Sequence, residues 1–253
     1  MTADSLASRA RDYDPPADLL AGRVILVTGA GQGLGRAVAL ACAARGASVA
    51  LLGRKVEKLE ATYDAITSAG GPEPAAIPLD LAAAGTAELE QLAQLLRRDL
   101  KRLDGIAHCA AHFVPLGPLA NQTLEQWTTL LRVNLAAPFA LSRACLPLLA
   151  KSGDASIVFA GETHGVAPRA YWGGFAVAKS ALSTLAAIWA DELAERGPRV
   201  NVLVPGPIAS PQRARSHPGE DPSRLRTAEE TARAFLFFLG PEGRGATGKT
   251  VAL

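Results

Sequence analysis

Val24-Ile25-Leu26-Val27-Thr28-Gly29-Ala30-Gly31-Gln32-Gly33-Leu34-Gly35-Arg36 decides how the chain is read. The stretch opens as an unbroken apolar run, the pattern of a strand buried on both faces of a parallel sheet. It breaks into glycines and resumes as Ala37-Val38-Ala39-Leu40-Ala41-Cys42-Ala43-Ala44, a helix of small residues. A strand, a glycine turn and a helix N-terminus aim free N–H groups and the positive helix end at one point, as an anionic phosphate requires. The glycines let the backbone approach a pyrophosphate and let the helix pack close to the sheet. A tight strand-to-helix turn with no ligand is the competing reading, and the strand–turn–helix context favours the nucleotide.

The rest of the chain repeats the alternation. Strands are expected at 48–52, 75–79, 104–110, 155–160, 200–204 and around 250–253, each a short apolar run. Between them helices are expected near 56–68, 86–103, 123–133, 136–151, 172–196 and 228–239. Residues 1–21 read as an extended arm, since Asp14-Pro15-Pro16 resists helix. Residues 22–253 then form one doubly wound α/β domain of Rossmann type, with a parallel sheet of about seven strands flanked by helices.

Composition narrows the function classes. The 253 residues suit one large domain, and 49% hydrophobic with 20% charged residues is a globular balance. A net charge of +2 offers no basic field for nucleic acid. Cys42, Cys109 and Cys145 are scattered, without metal-ligand spacing, and read as small apolar fillers in a reducing cytoplasm. Neither a signal-peptide core nor an uninterrupted apolar span of roughly 18 residues is present, so no membrane helix is expected.

In this order the landmarks resemble the short-chain dehydrogenase/reductase family over nearly the whole chain. Thr28-Gly29-Ala30-Gly31-Gln32-Gly33-Leu34-Gly35 matches the family's T-G-x-x-x-G-x-G cofactor loop. Asp80-Leu81 looks like its adenine-contacting pair, and Ala110 falls at the strand end that borders the cofactor. Asn134 matches its structural and proton-relay asparagine, and Pro205-Gly206-Pro207-Ile208 the segment that covers the nicotinamide. Within the family, Leu51-Leu52-Gly53-Arg54, Arg102-Leu103-Asp104-Gly105, Leu146–Ser152, Tyr171-Trp172-Gly173-Gly174 and Glu220-Asp221-Pro222 resemble the YciK-type branch of oxidoreductases.

The second strand normally decides between the two nicotinamide nucleotides: an acidic residue at its end accepts the ribose 2′-OH and repels a 2′-phosphate. This chain has Arg54 and Lys55 instead, and a guanidinium grips phosphate bidentately. NADP is therefore favoured over NAD, against the reading that both cations only solvate the loop.

The resemblance implies a serine, a tyrosine and a lysine beside the nicotinamide. The tyrosine exchanges a proton with a carbonyl or alcohol, the lysine one turn on favours its phenolate, and the serine polarises the substrate oxygen. Here the Y-x-x-x-K spacing falls on Phe175-Ala176-Val177-Ala178-Lys179, and the serine's place holds Glu162. His108-Cys109-Ala110-Ala111 also departs from the family's N-N-A-G strand end. Asn134 and Lys179 alone remain. Phenylalanine has no proton to give, and losing a positioned general acid costs ~10²–10⁴ in rate. Three substitutes stand open: Glu162 with a burial-raised pKa, though an ion pair with Lys179 would oppose that; Tyr171, more readily packed in its loop; and His164, more readily an exposed loop residue. His108, His112 and His217 read as surface or strand-end residues.

The substrate loop, about 206–226, carries Arg213, Arg215, His217, Arg224 and Arg226, suited to an acidic ligand or simply to solvent. Leu182, Leu185, Ile188 and Trp189 could line a seam between subunits, giving a dimer or tetramer, or could be core. Three functions follow. The chain is an NADP(H)-dependent oxidoreductase on a small carbonyl or alcohol with a disrupted proton-transfer site, a non-catalytic dinucleotide-binding sensor or assembly partner, or a structural subunit without cofactor.

Overall fold

A computed structural model describes residues 2–253. Seven strands form one all-parallel sheet: β1 (Val24–Thr28), β2 (Ser48–Gly53), β3 (Ala75–Pro78), β4 (Gly105–His108), β5 (Ser156–Ala160), β6 (Arg199–Val204) and β7 (Thr250–Ala252). Their spatial order is β3-β2-β1-β4-β5-β6-β7. The order reverses between β1 and β4, so a crevice opens at the carboxyl ends of these two strands.

Ten α-helices are described: α1 (Ala3–Arg11), α2 (Gly33–Ala43), α3 (Val56–Ser68), α4 (Thr86–Leu95), α5 (Leu124–Leu131), α6 (Ala137–Leu149), α7 (Thr163–Val166), α8 (Gly173–Glu192), α9 (Pro211–Ser216) and α10 (Ala228–Leu239). The central strands are almost wholly apolar because alternate residues serve different layers. Ile25 and Val27 pack with α1, α2 and α10, through residues such as Leu6, Val38 and Phe235. Val24 and Leu26 pack on the opposite face with α4, α6 and α8, through Leu92, Leu141 and Leu182. Burying both faces this way is what a parallel sheet requires.

Three expectations need correction. The first residues are not an extended arm. Thr2 caps α1 by accepting the Ser5 N–H, and Leu6, Ala7 and Ala10 are buried against the last helix and strand. The prolines break only the stretch after it. The helix expected over 86–103 narrows to α4 followed by a π-helical turn, Leu96–Leu100, that ends at Lys101 in a left-handed conformation, φ 63°. The two helices expected over 123–151 are one continuous rod, α5 and α6 joined by a second π-helical turn, Arg132–Ala136. Asn134 sits in that turn. A π-turn admits one extra residue and re-aims the side chains around it.

Leu182 and Trp189 of α8 belong to the core, Trp189 stacking on Phe159 with centroids 6.5 Å apart. The large apolar side chains that α8 leaves outside are Val177 and Ile188, 46% and 52% exposed. By length and composition α8 alone among the described helices could cross a membrane; half of it is buried in this domain.

Asp104, at the start of β4, ties the layers together. Its carboxylate accepts the Val24 N–H at 2.8 Å, the Arg102 guanidinium at 2.7 and 2.8 Å and the Ser152 hydroxyl at 2.5 Å. These donors hold its carboxyl below the usual range although burial pushes the other way.

Candidate functional site

At the end of β1 the backbone turns over at Gly29, φ 70°, and lies against β4 so tightly that a Cβ would stand 2.8 Å from Ala110 Cα. The Thr28 hydroxyl fixes the same junction by accepting the Ala110 N–H at 3.0 Å. Gly33, φ 53°, opens α2, and a Cβ on Gly35 would run into the backbone of Gly29 and stand 3.0 Å from Thr28 O. These glycines are required by approach and by conformation. The α2 N-cap, Gln32, gives the helix no side-chain cap, because its amide oxygen accepts from Lys58 Nζ instead. Gly33, Leu34 and Gly35 therefore face the crevice with first-turn N–H groups that no side chain satisfies. That arrangement fits a phosphate group.

The crevice is a cleft of about 640 Å³. Gly29, Gly31, Gln32, Gly33, Leu34 and Gly35 line its floor. Arg54 and Lys55 line one end, and neither has an ion pair or side-chain hydrogen bond among the described residues. Asp80 and Leu81 face them, Asp80 accepting the Ala82 N–H at 2.9 Å. Ala110, Pro205, Gly206 and Ile208 complete the walls. Of the residues singled out by sequence, Thr28 and Asn134 do not line the cleft. Thr28 is spent on the β1–β4 junction. Asn134 is fully buried, its amide donating to Leu130 O at 2.9 Å and His112 O at 2.8 Å while its oxygen accepts the His112 N–H at 3.2 Å. Its side chain shapes the cleft by holding the backbone of His112, which does line it.

At the other end β5 delivers Gly161, where a Cβ would stand 2.8 Å from both Val202 and Val204, and then Glu162, which caps α7 without a side-chain bond. Across from it α8 begins at Gly173, φ 46°, and its first turn is pinned by Gln122 Oε1 accepting the Gly174 N–H at 2.8 Å. One turn separates Phe175 from Lys179, and both line the cleft. The Lys179 ammonium donates to Ala160 O at 2.7 Å and lies 5.7 Å from the centroid of the Phe175 ring. Burial pushes this lysine down to about 8, against the charge of Glu162, which favours its protonated form. The expected Glu162–Lys179 ion pair does not form; Lys179 bonds to a carbonyl instead. The Glu162 carboxylate accepts no hydrogen bond and forms no ion pair among the described residues, yet the residue lines the cleft.

Aromatic side chains surround this end. Phe175 meets Phe113 edge-on at 5.2 Å and Trp172 at 6.3 Å. His164, expected in an exposed loop, is half-buried on α7 with its ring 4.3 Å from Trp172. Tyr171, expected to pack in its loop, is 61% exposed, in a left-handed turn of φ 76°. His108 is a strand-end residue but a buried one, bonded to Ser142 Oγ at 2.8 Å and pushed down to about 3 by burial and, less, by Lys179. It stays neutral. His112 is also lowered, first by burial and then by the charges of Arg54 and Arg215, with Asp80 opposing.

Over the cleft lies the loop that carries α9. Arg213, Arg215 and His217 line the cleft; Arg224 and Arg226 do not. Arg213 is held by Glu220 at 2.5 and 2.8 Å, and the Arg215 guanidinium rests 5.8 Å from the Phe113 ring. Sequence reasoning missed Lys58 and Trp172 as lining residues. Lys58 lies one turn beyond the β2 end on the side that faces the glycine floor, a spacing that could have singled it out.

The family described as short chain dehydrogenase matches residues 23–221. The uncharacterized oxidoreductase YciK of Escherichia coli K12 is 39% identical over 238 residues, 94% of each chain. A chain from Shigella flexneri 2a described as a short chain dehydrogenase and complexed with NADP superposes with a TM-score of 0.91 at 38% identity, covering 94% of this chain and 99% of that one. A counterpart from Escherichia coli CFT073, complexed with NADPH, gives the same figures, TM-score 0.91, 38% identity and coverage of 94% and 99%.

Proposed function

This chain belongs to the short-chain dehydrogenase family, and on that premise we propose that it binds NADP(H) and acts as an oxidoreductase without the family's tyrosine–lysine proton transfer. The observation that carries the first half is the pair Arg54 and Lys55, bare cations at the end of β2 beside an uncapped glycine floor. There they suit a ribose 2′-phosphate, and no carboxylate stands in their place to prefer a free 2′-hydroxyl. The relatives complexed with NADP and NADPH support the same choice. Gly29, Gly31, Gln32, Gly33, Leu34 and Gly35 hold the pyrophosphate, Asp80, Leu81 and Ala110 the adenine side, and Pro205, Gly206 and Ile208 the nicotinamide side. Thr28 and Asn134 keep the strand ends in place beneath it. Bound NADPH supplies a hydride.

The second half rests on Phe175 and Glu162. The phenyl ring stands where the proton-donating phenol would be, and Lys179, with its ammonium on Ala160 O, has no phenol to act on. Reduction of an ordinary ketone or aldehyde is therefore weak and relies on Glu162, His164 or solvent for its proton. A second reading, a non-catalytic dinucleotide-binding sensor or assembly partner, draws on the same two residues and on the exposed Val177 and Ile188 of α8, which suit a homo-oligomeric contact in the cytoplasm. Titration of the protein with NADPH and NADH, followed by a panel of carbonyl substrates, separates the two. Tighter NADPH than NADH supports the cofactor assignment. Carbonyl-dependent NADPH oxidation that disappears in Glu162→Gln supports the enzyme; NADPH binding with no turnover of any kind supports the sensor.

A further inference from the structure

Charged groups at the chemistry end of the cleft are engaged, with one exception that faces the reacting region. Lys179 is bound to Ala160 O and lies over the Phe175 ring, Arg213 is paired with Glu220, and Arg215 rests on the Phe113 ring. Arg169 lines the cleft from an exposed turn at its rim. Glu162 alone is a half-buried carboxylate with neither a hydrogen bond nor an ion pair, set two residues beyond the carbonyl that holds Lys179. The same cleft is lined by Trp172 and Phe175, whose rings stand 6.3 Å apart. A carboxylate left without a hydrogen-bond partner, in a cleft that also holds aromatic rings, suits a ligand cation, which gains from both the charge and the ring quadrupoles.

Resting on the proposed NADP(H) reading, we propose that the substrate is a protonated imine, with its cationic nitrogen on Glu162 and its carbon frame against Trp172 and Phe175. The chemistry agrees with what the cleft lacks. A ketone that takes a hydride becomes an alkoxide and needs a proton at once, and Phe175 has none to give. The carbon of a protonated C=N bond takes the hydride with its electron pair, the π pair withdraws onto nitrogen as a lone pair, and NADPH is oxidised to NADP⁺. The product is a neutral amine, no proton has to move in the step, and solvent protonates it afterwards. Glu162 in the serine's place then stabilises the cationic substrate in advance of reduction and accepts hydrogen bonds from its N–H. A serine could only donate to an oxygen or accept weakly.

The test uses 3,4-dihydroisoquinoline as the imine and its reduced amine, 1,2,3,4-tetrahydroisoquinoline, as a cationic probe of the site. Calorimetric titration of the NADP⁺-loaded protein with the amine is expected to give saturable binding, weakened about ten- to a hundredfold in Glu162→Gln, as loss of a charge-assisted hydrogen bond predicts. Glu162→Asp, which keeps the charge, is expected to restore part of it. NADPH affinity should be alike in all three proteins, and imine-dependent NADPH oxidation should fall in the same order as amine affinity. Wild-type protein that binds NADPH but takes neither amine nor imine overturns this inference alone, as does amine binding indifferent to Glu162→Gln. Protein that binds no NADPH overturns the reading beneath it as well.

Discussion

Replacing Phe175 by tyrosine and Glu162 by serine together should convert the cleft into a carbonyl-reducing site, and the structure says why both changes are needed. Lys179 Nζ lies 5.7 Å from the centroid of the Phe175 ring, and at an effective dielectric of about 20 a unit charge at that distance stabilises a phenolate by about 3 kcal/mol. That is about two orders of magnitude in the fraction of phenolate at a given pH. Glu162 lines the same cleft, and its negative charge opposes a phenolate, so the single change Phe175→Tyr leaves part of that advantage cancelled. Serine at 162 removes the carboxylate and supplies a donor for the substrate oxygen. A positioned general acid is worth ~10²–10⁴ in rate, so kcat/KM on simple ketones and aldehydes should rise by about that factor in the double variant, and by less in either single one. The assay is NADPH oxidation over a carbonyl panel, with thermal melting and NADPH titration to confirm that the variants are folded and loaded. A folded, NADPH-binding double variant with no more turnover than wild type would refute the reasoning: the cleft would then lack more than a proton donor.

Other expectations follow from the scaffold. Gly35→Ala puts a methyl into the backbone of Gly29 and near Thr28 O, so NADPH binding should be lost and stability should fall by about 1–3 kcal/mol, read by urea unfolding with and without NADPH. Arg54→Ala should weaken NADPH about ten- to a hundredfold while leaving NADH nearly unchanged, read by parallel titrations. Asp104→Asn removes the charge shared by the Val24 N–H, Arg102 and Ser152, and should cost about 1–3 kcal/mol at neutral pH. Because folding lowers the pKa of Asp104, its contribution is present above the carboxylate's unfolded pKa and is lost as pH falls through the folded value. The stability gap between wild type and this variant should therefore close in acid, measured by denaturant melts at descending pH.

Much of this molecule is legible in its sequence because the parallel sheet buries both faces of its central strands. Val24–Val27, Val49–Leu52 and Ile157–Ala160 read as strands without help, since nothing polar interrupts them. The glycine floor is equally plain, as its residue type is dictated by approach distances. What stays hidden depends on partners far away in the chain. In α1 the apolar stripe is only Leu6, Ala7 and Ala10, too small to announce itself before α10 and β7 are in place. The π-turn at Arg132–Ala136 has the same residues as an ordinary helix, and only the backbone of His112 across the gap explains it. The predicted Glu162–Lys179 pair failed for a similar reason: the fold brings the carbonyl of Ala160, 19 residues back in the chain, within 2.7 Å of the ammonium. Trp172 could not be placed on the cleft from sequence, because its orientation follows from the left-handed turn at Tyr171 and the Gln122 clamp on α8.

The docking of α1 has a consequence for how the protein is made. The surface that receives Leu6 and Ala10 is built from α10 and β7, which leave the ribosome last of all the elements described. Until they emerge the first helix has nowhere to lie, and the part of that sheet face not covered by α2 stays open. Docking of the first helix is thus a late step in folding, and until it happens the apolar face of α1 and its seat are both open to wrong partners.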